Sequence, residues 1–246
     1  MKKCLPIGWR LAALVAAAVS APVSMSAPAR MDSSQEVQGS GVFLNAAGDV
    51  LTARHVVKDC RSLYVVKDGR VAPATLAATS LDPDLAVLHT PLKPYLSVTL
   101  ARTAPASTAS MGVFAEAYSV LLRMPDRARL LSNAMTVPGS DGLQLLSGVK
   151  PGASGSGVLG NGGLLLGVVV ERVAAGPGSS GSRMLSVGTG SGSGGSTQVV
   201  AVTAAQIKRF LQAENVEFFE SDAAQLGPMQ SPAARAMTLS VGVICG

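Results

Sequence analysis

Short apolar runs separated by Gly, Pro and Asp recur along most of this chain, and runs of this kind are typical of β-strands. Gly41–Leu44 and Val50–Ala53, joined by a turn that contains Gly48, form the first such pair. Only Ala204–Ala213 has apolar residues at helical spacing, and Thr203 stands before it as an N-cap residue. The sequence therefore predicts an all-β fold with a short C-terminal helix.

Residues 1–29 have the pattern of a secretory signal peptide. Basic residues at positions 2, 3 and 10 precede the apolar run Leu11–Val19, and small residues follow, so cleavage is expected after Ser26 or Ala29. The run is too short to favour a membrane-spanning helix, although an uncleaved anchor is the alternative. We expect an exported protein, periplasmic or secreted, with no stable membrane insertion after signal cleavage.

The charge of the chain changes when this segment is removed. Lys2, Lys3 and Arg10 supply three of the formal +5, and residues 1–29 contain no acid, so the mature chain carries only about +2. This balance predicts no nucleic-acid surface. Cys and His are too sparse and wrongly spaced for a zinc site, and no phosphate-binding glycine loop follows a strand. No metal or other cofactor is expected.

A glycine-framed serine is the main chemical feature of the sequence. Gly152-Ala153-Ser154-Gly155-Ser156 is followed by the apolar run Gly163–Val170. Acyl transfer needs a nucleophile on a sharp turn whose backbone N–H groups can hold an oxyanion, and glycine allows such a close approach. Gly-Ser turns also occur in ordinary β-hairpins, so this pattern alone is weak.

Two upstream residues strengthen the interpretation of this turn. His55 follows the strand-like run that ends at Ala53, and Asp84 stands directly before the apolar run Leu85–Leu88. Alone, the histidine is more often a structural residue, and the acid belongs to an Asp-Pro-Asp turn. Together with Ser154, they supply the three roles of a nucleophile, a base and the group that orients the base.

These segments resemble, in the same order, the trypsin-like serine proteases. The matching motifs are Gly39-Ser40-Gly41-Val42-Phe43, Leu51-Thr52-Ala53-x-His55-Val56-Val57, Asp84-Leu85-Ala86-Val87-Leu88 and Pro151-Gly152-x-Ser154-Gly155-Ser156, and the last strand and helix at 199–211 match as well. The HtrA/Deg-like bacterial branch is the most similar. The resemblance covers roughly residues 38 to 216. It implies two packed six-stranded β-barrels of the trypsin/chymotrypsin type.

The same resemblance implies an activity and its residues. The chain is expected to be a serine endopeptidase that hydrolyses peptide bonds in protein or peptide substrates through an acyl-enzyme. His55, Asp84 and Ser154 would be its triad, and the N–H groups of Gly152 and Ser154 its oxyanion hole.

The expected domain boundaries follow from the signal peptide and from the extent of the family resemblance. A trypsin-like protease domain is expected at 30–218, after the signal peptide, and a C-terminal extension at 219–246. That extension has a polar linker, then a short helix at Ser231–Met237 and a strand at Thr238–Ile244, and it is too short for a PDZ domain. The Gly/Ser-rich segment 176–196 is expected to be a surface loop. The oligomeric state is left open.

Two cysteines remain after signal cleavage, because Cys4 leaves with the signal peptide. In an oxidising compartment an even pair is more often bridged than free, so a disulfide between Cys60 and Cys245 is expected. Two unpaired buried thiols are the alternative. A bridge would hold the C-terminal extension beside the loop that contains His55.

The substrate pocket is expected to take a small or medium apolar side chain. Gly148, six residues before Ser154, occupies the place where trypsin carries an acid, so a cationic side chain would lose its hydration there without gaining a partner. Glu171 is the nearest candidate acid. The predicted lining residues are Gly148, Val149, Val168, Val169 and Val170.

Three departures from the family pattern keep a second interpretation open. Ala153 replaces the Asp or Asn common before the nucleophile, and Ser156 replaces a frequent Gly. Val170 lies near the position where a Ser or Thr often supports the catalytic Asp, which would leave Asp84 short of one hydrogen bond. The alternative is therefore a catalytically weak or inactive trypsin-like module that binds proteins or peptides.

Overall fold

The computed structural model describes residues 37–103, 109–140, 142–173 and 197–246, which all belong to one compact unit. Its strands are β1 (Gly39–Phe43), β2 (Asp49–Ala53), β3 (Leu63–Lys67), β4 (Arg70–Ser80), β5 (Leu85–His89), β6 (Thr99–Ala101), β7 (Gly112–Val113), β8 (Ala134–Thr136), β9 (Leu143–Ser147), β10 (Gly157–Leu159), β11 (Leu165–Val173), β12 (Thr197–Thr203), β13 (Phe219–Ser221) and β14 (Ser240–Cys245). Its α-helices are α1 (Tyr118–Leu121), α2 (Ala204–Ala213) and α3 (Pro232–Leu239).

The first barrel is closed and contains six strands, in the order β1-β14-β3-β4-β5-β2. All of its neighbouring strands are antiparallel. Apolar side chains from every strand fill its interior, among them Phe43, Val50 and Val65, which have no exposed surface. β14 reaches this barrel from the C-terminal segment and lies between β1 and β3.

The second barrel is built on the sheet β13-β6-β11-β12-β9-β8-β7, with β10 paired to β11. This sheet curls until Phe114, next to β7, meets Leu159 of β10, and these residues exchange two backbone hydrogen bonds of 2.8 Å. The bridge closes a ring of six strands, while β6 and β13 extend the sheet beside β11. The predicted all-β, two-barrel fold is confirmed.

The predicted helix 204–213 is present as α2. Thr203 Oγ1 accepts a hydrogen bond from Gln206 N, and the Gln206 side chain accepts one from Thr203 N, which makes a capping box. Ile207 and Leu211 are fully buried on one face, as the helical spacing predicts. The three described helices are all too short to cross a membrane.

The segment 219–246, treated above as an extension, contributes to the first barrel through β14. α3 begins after Ser231, whose hydroxyl accepts the Ala234 N–H, and leads directly into β14. A disulfide joins Cys245, at the end of this strand, to Cys60, with 5.2 Å between their Cα atoms. The structure thus contains the expected bridge. The expected signal peptide at 1–29 and the loop 176–196 lie outside the described residues.

Candidate active site

His55 and Asp84 meet at the ends of two paired strands of the first barrel. β2 and β5 are antiparallel neighbours, with Ala53 opposite Leu85, so the residue groups after β2 and before β5 lie together. His55 Nδ1 is 2.6 Å from Asp84 Oδ2, and the His55 backbone N–H donates to Asp84 Oδ1 over 3.1 Å. Because an ionised carboxylate can only accept, Nδ1 carries a proton in this contact, and in a neutral imidazole Nε2 is then the acceptor.

Ser154 lies on a tight turn between β9 and β10. Two glycines in the left-handed region frame it, Gly152 with φ +87° and Gly155 with φ +85°. Gly155 N donates to Val169 O over 2.7 Å, which joins the turn to β11. A Cβ on Gly155 would overlap Ser40 O and Thr52 Oγ1, so only glycine lets the turn approach the first barrel this closely.

Ser40 of β1 connects the serine turn to the first barrel. Its backbone N–H donates to Ser154 O over 2.8 Å, and its hydroxyl donates to Gly152 O over 2.7 Å while accepting the Tyr118 N–H. Thr52 Oγ1 of β2 in turn donates to Ser40 O over 2.7 Å. Two carbonyl groups of the turn are therefore held by one residue of the other barrel. Sequence reasoning quoted Ser40 only as part of a motif.

Gly39 brings the histidine loop and the serine turn to one point. A Cβ on this residue would overlap the Val56 side chain, next to His55, and would lie 3.2 Å from Ser154 O. The loop and the turn thus pack against the same backbone position. The structure therefore places the backbone of Ser154 close to the loop that carries His55, which in turn contacts Asp84.

The turn leaves hydrogen-bond donors unpaired. Among the described residues, neither the Gly152 N–H nor the Ser154 N–H has an acceptor. Ser154 is half-buried, and its hydroxyl has no partner in the described part of the chain, His55 included. Hydrogen bonds between catalytic groups are often long in the absence of substrate and tighten when it binds.

Glu116 is a buried carboxylate that sequence reasoning missed. It is 8% exposed and lies two residues before the start of α1. Its Oε1 accepts the N–H groups of Ala117 and Lys150 over 3.0 and 3.3 Å, and its Oε2 lies 3.4 Å from Asn133 Nδ2. Lys150 is two residues before Gly152, so the carboxylate braces the segment that leads into the serine turn. No motif or periodicity in the sequence indicates this role.

The residues predicted to line the substrate pocket lie in different environments. Gly148 is exposed, and a Cβ there would meet no atom within 4 Å, so space is open beside it. The side chains of Val149, Val168 and Val169 are buried in apolar clusters. Val170 is half-buried and packs against clusters of both barrels.

Arg172 adds a positive charge to this region. It is exposed on β11, and its Nη1 donates to Val149 O over 3.2 Å. The guanidinium therefore reaches from β11 to the segment beside Gly148. Glu171, the nearest acid in the sequence, is exposed on the same strand.

The three departures from the family pattern have distinct surroundings. Ala153 is 4% exposed and packs into the second barrel, so apolar contacts hold the turn at this position. Within the described ranges, the Asp84 carboxylate accepts hydrogen bonds from His55 alone. Ser156 Oγ is buried and has no partner among these residues.

Two solved protease structures are similar to this chain. AlgW, an HtrA-type protease solved with a decapeptide, is 21% identical with a TM-score of 0.53, and the match covers 72% of this chain and 51% of that one. A serine endoprotease from Yersinia pestis is 20% identical with a TM-score of 0.47, covering 72% of this chain and 57% of that one. The chain thus spans little more than half the length of either structure.

Comparison at the level of sequence identifies the family. No curated protein sequence matches the chain significantly. The family model described as a trypsin-like peptidase domain matches residues 39–168, just over half of the 246 residues, and this range includes the candidate His55, Asp84 and Ser154. The chain therefore belongs to the trypsin-like peptidase family.

Proposed function

We propose that this chain is an exported serine endopeptidase that hydrolyses peptide bonds through a Ser154-His55-Asp84 triad and an acyl-enzyme intermediate. The contact between the Asp84 carboxylate and both N–H groups of His55, beside a glycine-framed serine turn, is the observation that carries the proposal. The family assignment supports a peptidase, and the arrangement of these side chains supports the serine mechanism.

Each residue has a defined step in this mechanism. Ser154 Oγ attacks the scissile carbonyl while His55 Nε2 takes its proton, and His55 then gives this proton to the leaving amine. Asp84 holds the imidazole orientation and stabilises its charged form. Water later attacks the acyl-enzyme with His55 again as the base, which releases the second product and regenerates Ser154.

The oxyanion formed in each step would be held by the N–H groups of Gly152 and Ser154. Both donors are unpaired among the described residues, and the carbonyl groups of the same turn are fixed by Ser40. One such donor typically contributes about 3 to 4 kcal/mol to transition-state stabilisation. Donors that are held in position before the reaction need little reorganisation when the oxyanion forms.

We also propose that peptides and proteins with a small or medium apolar residue on the acyl side are the substrates. The open space beside Gly148 supports a pocket there, with the backbone of 168–170 as one wall. Arg172, which reaches toward Val149 O, disfavours an incoming Lys or Arg side chain by like-charge repulsion. AlgW, to which this chain is similar over 51% of the AlgW chain, was solved with a decapeptide, which supports peptides as a class of ligand.

Export is part of the proposal because the sequence at 1–29 has the pattern of a signal peptide. A disulfide between Cys60 and Cys245 is consistent with an oxidising compartment such as the periplasm or the extracellular space.

A second candidate function is a trypsin-like module that binds peptides without cleaving them. The observation in its favour is that Ser154 Oγ and His55 are not hydrogen-bonded in the described part of the chain, and that Asp84 is held by His55 alone.

Covalent labelling with a fluorophosphonate separates the two functions. The reagent reacts with a serine activated by a neighbouring base, so the wild-type protein should be labelled at Ser154 and Ser154→Ala should not. Ser156→Ala is the matched control, because its hydroxyl is buried without a partner and its removal leaves the turn intact. A folded wild-type protein that takes no label, or equal labelling of Ser154→Ala, would exclude the triad.

A further inference from the structure

A cavity of about 390 Å³ lies on the first barrel, and four basic residues are among those that line it. Lys67 and Arg70 come from the β3–β4 hairpin, Lys93 from the segment after β5 and Arg127 from the segment after α1. Asp68 is the one acid among the lining residues. The walls therefore carry an excess of three positive charges around a concave space.

The hairpin places two of these cations directly opposite each other. Lys67 and Arg70 are register partners across a two-residue turn in which Asp68 and Gly69 have φ values of +49° and +77°. Like charges at opposite positions of a strand pair repel each other. A hairpin can form without two cations at these positions, so they are not explained by its structure.

Among the described residues, Asp68 is the one carboxylate in ionic contact with the four cations, and the Lys67 ammonium also lies 5.9 Å from the centre of the Tyr118 ring. Lys67 Nζ donates to Met237 O and Ser240 O over 2.6 and 3.1 Å, and Asp68 Oδ1 is 3.8 Å away. Lys93 Nζ and Arg127 Nη1 also donate to backbone carbonyls. Carbonyl groups are neutral, so these contacts fix the positions of the cations without cancelling their charge.

Arg70 differs from the other three because its guanidinium has no partner among the described residues. It is exposed at the cavity wall, with all of its N–H donors available. Burial lowers the pKa of Lys67, and the neighbouring Asp68 carboxylate opposes this shift.

We propose that this cavity binds a small multivalent oxyanion, whose phosphate or carboxylate groups accept hydrogen bonds from Arg70 and Arg127 within the field of Lys67 and Lys93. Guanidinium groups match both kinds of oxyanion by paired N–H donors. The volume lies in the range of small-molecule sites. The site lies outside the candidate active site and does not depend on the proposed peptidase activity.

Isothermal titration calorimetry of the purified chain tests this proposal, with inorganic pyrophosphate and citrate as separate probes. We expect a saturable, one-site isotherm with at least one of them, and an affinity that falls as ionic strength rises. Tighter binding of pyrophosphate would identify a phosphate ligand, and tighter binding of citrate a carboxylate ligand.

Three variants test whether the affinity depends on the charges around the cavity, and one of them is a control. Arg70→Ala should weaken binding by about tenfold or more, since it removes a charged hydrogen-bond donor. Asp68→Asn should tighten binding by about threefold, because it removes the one acid while Asn tolerates the positive φ at this position. Arg209→Ala, which removes an exposed arginine from α2, should have no effect.

Failure of both probes to saturate at millimolar concentration would overturn the proposal. Equal effects of Arg70→Ala and Arg209→Ala would do the same, because they would show only general attraction of anions to a basic surface. Thermal melting of each variant checks that the fold is retained, and Arg70 makes no contact whose loss should reduce stability.

Discussion

Single residues at the contact between the barrels decide whether Ser154 is in place. Gly155 has a positive φ and packs against Ser40 O and Thr52 Oγ1. Replacing it by a residue with a Cβ would therefore cause both backbone strain and a steric clash. The two effects can be separated, because Gly69 has a similar φ of +77° with no atom within 4 Å of an added Cβ.

Gly155→Ala should therefore destabilise the protein far more than Gly69→Ala. The strain of a left-handed alanine alone costs about 1 to 2 kcal/mol, which is the loss expected at Gly69. At Gly155 the barrels must also separate, and we expect a loss of at least about 3 kcal/mol. Urea unfolding of both variants measures the difference. Equal losses would mean that the turn does not pack as described.

Glu116 is a second single residue that affects the position of Ser154, because it holds the backbone segment that leads into the serine turn. Glu116→Ala should slow fluorophosphonate labelling of Ser154 by about tenfold or more, because a misplaced oxyanion donor costs at least about 1.4 kcal/mol. Glu116→Gln keeps one oxygen as acceptor for the Ala117 and Lys150 N–H groups and should restore much of the rate. An unchanged rate in the alanine variant would remove Glu116 from the positioning of the turn.

At the scale of elements, β11 connects the core of the second barrel with the region where substrate is proposed to bind. It pairs with β12 along its length, and its other edge pairs with β10 up to Val168. From Val170 onward, no described strand pairs with that second edge, and the pairing with β12 has a bulge at this point. A free strand edge can accept an extended peptide as an additional strand.

Cleavage of an unbiased peptide library, read by mass spectrometry, tests the proposed preference at this edge. Products should end in Ala, Val, Leu or similar residues, because no described carboxylate lies within 4 Å of a Cβ at Gly148, where it could balance a cation. Cleavage concentrated after Arg or Lys would show the pocket assignment to be wrong. Arg172→Ala should then be compared, since it removes the positive charge that faces Val149 O.

At the scale of the whole molecule, β14 and the disulfide join the C-terminal segment to the first barrel. Val241 and Val243 are fully buried between β1 and β3, and burial of each such side chain typically contributes about 1.5 to 3 kcal/mol. The bridge between Cys60 and Cys245 closes a sequence separation of 185 residues.

Cys245→Ser should lower the free energy of unfolding by about 2 to 5 kcal/mol, the usual loss when a native disulfide is removed. Reduction of the wild type should give a similar loss, and a reductant should have little further effect on the variant. Mass spectrometry of a non-reduced digest should show the cross-linked peptide pair. Two freely alkylatable thiols in the native, oxidised protein would contradict the bridge.

Features set by local sequence were predicted well. Thr203 and the spacing of Ile207 and Leu211 define α2 within a single segment. The motifs around His55 and Ser154 also span a few positions each, and their catalytic roles stay a prediction. The place of β14 was not predicted, because an apolar run shows that a strand forms but not which strands it pairs with. Glu116 was missed for a related reason, since its partner Lys150 is 34 residues away.

The position of β14 also affects the order in which the first barrel can form. β1 and β2 lie about 200 residues before β14 in the chain, yet the ring that they share cannot close until β14 has joined it. Until then, the edges of β1 and β3 that β14 covers are unpaired, a state that favours association with other chains. Closure of this barrel is therefore a late step of folding, and a chaperone that shields the two open edges would protect the chain until β14 pairs with them.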